Sequence, residues 1–252
     1  MKKPLFSILV FSALSSLVVF ISGSVLAIVQ EGSQGEKAVC QRIPALELRL
    51  GEQFENREGK ISEHRQLREN RIATKQAEFE QRLQERRSAR KQRLETRIAE
   101  LEARANTDEK KAALATFQSA IGMARNAWYD TIKNAITTFR SAIDDLISDR
   151  IATIDAARAA RKTAFLEAFA KAKSDCEAGT AQNIVRENLK TDLKTAQDEF
   201  QTAITNARES ARTAHENAVS AKKEAFKNAH DEFEASLKEA KDQFQAAWQE
   251  TE

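Results

Sequence analysis

The sequence predicts an all-α protein: an elongated antiparallel three-helix coiled-coil bundle with 11-residue (hendecad) periodicity, preceded by a hydrophobic N-terminal membrane helix or signal peptide. Three observations predict it. The first is composition, because 252 residues hold only two prolines and seven glycines while 31% are charged. That profile belongs to long helices and leaves little turn chemistry for sheets. The second is a ladder in which Ile121, Ile132, Ile143, Ile154, Phe165 and Cys176 recur every eleven residues. Eleven residues complete three turns at about 3.67 residues per turn, so one apolar edge stays in line along a nearly straight helix. The third is an apolar run from Leu5 to Val29 that carries no charge and follows Lys2 and Lys3.

That run defines residues 1–29 and is long enough to cross ~30 Å of hydrocarbon as a helix. A cleaved signal peptide is the rival, since Ser22, Gly23 and Ser24 form a polar stretch before a Val25-Leu26-Ala27 cleavage site. The run exceeds the usual signal-peptide core of about 7 to 15 apolar residues, which leans towards an uncleaved anchor. Both readings give one compartment. Positive charge before the run and Glu31, Glu36 and Lys37 after it put the N-terminus in the cytoplasm and the remainder outside. The protein is then anchored in the cell membrane, or secreted or periplasmic if the segment is removed. Residues 30–42 contain Gly32, Ser33, Gln34 and Gly35 without an apolar period and read as a flexible tether.

Residues 43–252 form the bundle, with helices over about 43–105, 108–178 and 181–250. In the first, Pro44 suits the opening turn, where its missing N–H costs nothing. Leu50, Ile61, Ile72, Leu83, Leu94 and Ala105 make its ladder. Gly51 and Gly59 each weaken this helix by up to ~1 kcal/mol. Asn106 with Glu109 three residues later has the spacing of a capping box and starts the second helix. Gly179 suits the left-handed residue that ends it, and Thr180 caps the third. The third helix carries Leu193, Ile204, His215, Phe226, Leu237 and Trp248, beside alanines at 196, 207, 218, 229 and 240.

A register test links the ladders. In an antiparallel hairpin, residues at one level have numbers with a constant total, twice the turn position. The first two ladders pair 94 with 121, 83 with 132, 72 with 143, 61 with 154 and 50 with 165, each totalling 215. Half of that is 107.5, inside the first predicted turn. The second and third pair 165 with 193, 154 with 204 and 143 with 215, each totalling 358, which puts the turn at Gly179. At ~1.5 Å per residue, such helices make a rod about 100 Å long.

Cys40 and Cys176 are the only cysteines and fall at one level of the first hairpin. Outside the cytoplasm a disulfide between them closes a loop of about 135 residues. The competing covalent arrangement is a Cys40 to Cys40 link between chains.

The search for chemistry excludes more than it finds. His64, His215 and His230 are the only histidines and do not converge. No zinc spacing, phosphate loop or nucleophile motif is present, so no enzyme activity, cofactor or metal is expected. Formal charge is +2, accounted for by Lys2 and Lys3, which argues against bulk attraction to nucleic acid or anionic lipid. Residues 82–97 carry seven basic side chains against Glu85 and Glu95. They read as a solvated face whose arginines pair with acids or lie over rings, and no nucleic acid is expected as a partner.

The candidate interaction surface is Arg87 opposite Trp128 and Tyr129, a cation–π pairing, together with the stripe Phe200, Phe233 and Phe244 on the third helix. The stripe is also where copies of the chain would associate into a homo-oligomer. The function expected is a non-catalytic extracytoplasmic rod that serves as spacer, scaffold or surface interaction module, with the membrane as its one defined partner. The alternatives are a periplasmic holdase-type chaperone and a lipid-binding amphipathic helical protein.

Overall fold

The computed structural model describes residues 39–249, and the apolar segment 1–29 and most of the tether lie outside them. The described chain is a bundle of three long packed helices: α1 (Val39–Glu102), α2 (Asp108–Glu177) and α3 (Gln182–Gln249). They contain 64, 70 and 68 residues. Among the described residues no helix is long and apolar enough to cross a membrane.

The helix ends show what the sequence specifies locally. α1 begins four residues earlier than the tether reading allows, so residues 39–42 are helical and Pro44 lies inside the helix. There the proline leaves the Cys40 carbonyl without its usual partner, which is tolerable within a turn of the helix start. What holds the early start is external, because the Val39 N–H donates to Gln182 Oε1 at 3.0 Å. At the other end α1 stops at Glu102, three residues short of the expected boundary.

Thr107, not Asn106, caps α2. Its Oγ1 accepts the Lys110 N–H at 3.2 Å, and its carbonyl accepts the Lys111 N–H at 3.1 Å. Those are the two bonds that define an N-cap, and Asp108 and Glu109 in the first turn complement the helix dipole. α2 ends as the glycine predicts: Gly179 has φ 76°. The Thr180 N–H reaches the Asp175 carbonyl at 3.0 Å and the Gly179 N–H that of Cys176 at 3.1 Å. This pair of bonds is the Schellman arrangement. The Val185 N–H reaches the Ala181 carbonyl, so Ala181 rather than Thr180 holds the cap position of α3.

The chain divides into two compact units to which all three helices contribute, residues 39–60 with 151–208 and residues 61–150 with 209–249. In the first unit, Ile43 and Leu50 of α1 pack with Phe165, Ala168, Phe169 and Ala172 of α2 and Val185, Leu189, Leu193 and Ala196 of α3. The α2 set has the i, i+3, i+4, i+7 spacing of one helical face. Each large apolar side chain fully buried there contributes roughly 1.5 to 3 kcal/mol. Ion pairs run along its edges: Lys173 with Glu47, Lys162 with Glu58 at 3.9 Å and Lys171 with Asp192 at 2.8 Å. Partners descend α2 as residues ascend α1, which makes the hairpin antiparallel.

In the second unit the fully buried side chains are mostly small: Ala105, Leu114, Ala211, Ala229 and Ala240. The larger apolar positions Ile72, Leu83, Leu94, Ile121, Ile132, Ile143, Phe226 and Leu237 are half-buried. Arg140 spans the first hairpin here, 2.6 Å from Glu80 and over the Phe79 ring.

Candidate functional site

Three arrangements on these helices combine chemistry-bearing side chains. The first is a clasp in the first unit. The Sγ atoms of Cys40 and Cys176 are 2.02 Å apart, at disulfide distance, with Cα atoms 5.8 Å apart. Beside them, the Val39 to Gln182 bond adds the first residue of α3. The start of α1, the end of α2 and the start of α3 are thereby joined within two residues of one another in each helix.

The second arrangement surrounds Arg161, which shares a face of α2 with Phe165 four residues on. Arg161 is only 5% exposed. Its guanidinium carbon lies 3.9 Å from the Phe200 ring centroid, 5.4 Å from Phe54 and 5.9 Å from Phe165. Nη1 donates to Gln197 Oε1 at 3.2 Å, while Arg161 Nε and Gln197 Nε2 are buried without an acceptor. Among the described residues no carboxylate pairs with this arginine. Loss of hydration pushes its pKa down to about 10, and the neighbouring Arg57 and Arg158 push it the same way. Three rings facing a desolvated cation stabilise it by a few kcal/mol in all, which offsets part of a burial cost of several kcal/mol. The group remains a cation at neutral pH, so it orients and selects but does not exchange protons.

Sequence reasoning passed over Arg161, although the signal was present. The totals of 215 and 358 that pair the ladders put Phe54 and Gln197 at the level of residue 161.

The third arrangement lies in the second unit. Arg87 sits over the Tyr129 ring, 4.8 Å from its centroid, and Arg90 over Trp128 at 5.7 Å. The expected cation–π contact therefore forms, with Arg87 on the tyrosine and Arg90 on the tryptophan. Trp128 also meets Phe233 at 5.6 Å, and Phe244 stacks on Phe117 at 4.7 Å and touches Trp248 at 5.0 Å. These rings are half-buried packing surfaces. Phe200 is a correction to the surface reading: it is 5% exposed, covered by Arg161, and belongs to the first unit. The expected stripe is thus split between two interiors.

The histidines do not form a site. His64 is exposed, His215 half-buried, and His230 lies 3.1 Å from Glu234 on the surface of α3. Among the described residues no group of three His, Cys, Asp or Glu side chains could hold a metal ion.

Comparison with protein families, curated proteins and solved structures finds no match to this chain.

Proposed function

We propose that the chain is a non-catalytic extracytoplasmic spacer or scaffold: an antiparallel three-helix coiled coil of 11-residue period, tethered to the membrane through residues 1–29. The observation that carries this reading is the Cys40–Cys176 pair at bonding distance, between the start of α1 and the end of α2. Disulfides persist in oxidising compartments, and a bond at that place clamps a helical hairpin at its open end. The interiors of both units, filled by apolar, aromatic and arginine side chains, suit a structural element.

The location is tested by adding protease to intact cells and by mapping peptides without reductant. Cleavage from outside and a linked Cys40–Cys176 peptide are expected; complete protection with both thiols free sinks the proposal. The coiled-coil period is tested by matched deletions of residues 72–82, 133–143 and 215–225. Removing eleven residues from each helix keeps every ladder in register, so cooperative melting should survive, whereas removing nine from each turns the ladder by about 160° and should abolish it. Stoichiometric protection of an unfolded outer-membrane protein from aggregation would replace the spacer with the holdase.

A further inference from the structure

Four long cationic side chains on α3 hold an acid one turn away on the same helix. Lys194 lies 2.6 Å from Asp198, Lys227 2.8 Å from Asp231, Lys238 2.7 Å from Asp242 and Arg212 3.8 Å from Glu216. Such i, i+4 pairs neutralise the helix surface locally. α1 has such pairs at Arg82–Glu78 and Lys91–Glu95, but it also carries a file of cations that mostly lack them. In the second unit it carries Arg71, Lys75, Arg82, Arg86, Arg93 and Arg97, all exposed and spaced by alternating steps of four and seven residues. At about 100° per residue these steps return to the same side, so the six side chains share an arc of about 80° and span about 39 Å of helix. Among the described residues one carboxylate comes within salt-bridge distance of any of them, Glu78 at 3.9 Å from Arg82. Arg93 uses its Nε on the Ala89 carbonyl, which fixes the stem and leaves the charge free.

We propose that this stripe is a docking surface for a linear anionic glycan carrying phosphate, sulfate or carboxylate groups. Guanidinium groups suit such anions because two parallel N–H donors meet two oxygens. The arrangement favours a polymer over a flat lipid surface, since its charges lie in one file and the apolar row beside it, Ile72, Phe79 and Leu83, is half-buried in the bundle. It favours a glycan over nucleic acid because the ring on that side, Phe79, is half-buried beneath Arg140 and offers no open face for a base to stack on, and because the Cys40–Cys176 bond suits an oxidising compartment. The near-neutral total charge is no obstacle, because at physiological salt charges act over only about 8 Å, and an anion meets the local excess of these six cations over Glu78, Glu85 and Glu100 beside them.

The test uses the purified full-length chain on immobilised heparin, a sulfated glycan, across a salt gradient. Replacing Arg86→Gln, Arg93→Gln and Arg97→Gln together should weaken binding roughly tenfold or more at ~0.1 M salt and flatten the salt dependence. The matched control Lys194→Gln, Lys227→Gln and Lys238→Gln should change it by less than about twofold, since those charges are already paired. An Arg→Lys triple keeps charge and fold but loses the paired donors, so its binding should fall between that of the native chain and that of the arginine-to-glutamine triple. No retention of the native chain at low salt, or an equal loss in both glutamine triples, overturns the proposal. Equal binding of duplex DNA or of anionic phospholipid vesicles through the same arginines overturns the choice of a glycan.

Discussion

The same three helices build two interiors of different quality. In the first unit, Phe165, Phe169, Leu189, Leu193 and Ile204 are buried to 2% exposure or less. In the second, equivalent ladder positions such as Ile132, Ile143, Phe226 and Leu237 stay half-exposed, and alanines occupy most of the buried sites. Rings and cations contribute to both interiors, through Arg161 in the first and in the second through Arg87, Arg90, Arg140 and Lys222, each over an aromatic face. A repeated apolar ladder therefore fixes which edge faces inward, but not how much water is removed. That depends on side-chain size at the flanking positions, where the first unit adds Phe169 and Leu189 to its alanines and the buried sites of the second are mostly alanine.

The largest effect should come from the bond that only the first unit possesses. Reduction, or Cys176→Ser, should cost about 4 to 5 kcal/mol in the chain-entropy account of a loop this long. Melting followed by hydrogen exchange should show that loss concentrated in residues 39–60 and 151–208. Next, Phe169→Ala should cost about 3 to 5 kcal/mol, the usual range for a fully buried ring. Phe226→Ala should cost well under half as much, because part of its surface is already wet; equal costs in urea titrations would erase the distinction between the units.

Arg161 provides a sharper probe. Gln197→Leu alone removes the acceptor of a buried cation and should destabilise by about 1 to 3 kcal/mol. Arg161→Met with Gln197→Leu should be neutral or stabilising, because the uncompensated charge goes with its partner. The pH dependence has a definite sign. Since the folded pKa is depressed, the unfolded chain holds the proton more tightly, so the cost of Arg161 is fully present below about pH 10 and eases as pH rises beyond it. The gap between native and double-variant stability should narrow in that range. The smallest effect is expected at the turns, where Gly179→Ala, forced to positive φ, and Thr107→Ala, losing its cap bond, should each cost about 1 kcal/mol in thermal melts.

Much of this was legible in the sequence. The three helices, both turns and the meeting of Cys40 with Cys176 follow from a fixed repeat and from glycine and capping chemistry. The finer differences between sequence pattern and structure have local causes. Residues 39–42 are helical rather than tether because the bonds that hold them come from α3 and from the disulfide, which no window of local sequence contains. The cap fell on Thr107 rather than Asn106 because both residue types suit the position and backbone geometry decides between them. Phe200 read as surface because an arginine, not an apolar residue, covers it. A charged residue at a core-flanking position is invisible to a reading that counts hydrophobic side chains.

The clasp also decides how the molecule would answer a pull. Cys40 is the second residue of α1 and Cys176 the penultimate residue of α2. Tension entering at residue 39 therefore crosses to α2 through sulfur before it reaches the rest of α1. The whole first hairpin sits in a covalent bypass and feels none of the stretch applied between the two ends of the described chain. Only about 70 residues, essentially α3, can be paid out while the bond stands. Such a molecule lengthens by one bounded step and then holds, and a reductant is what would release the residues of the first hairpin for further extension.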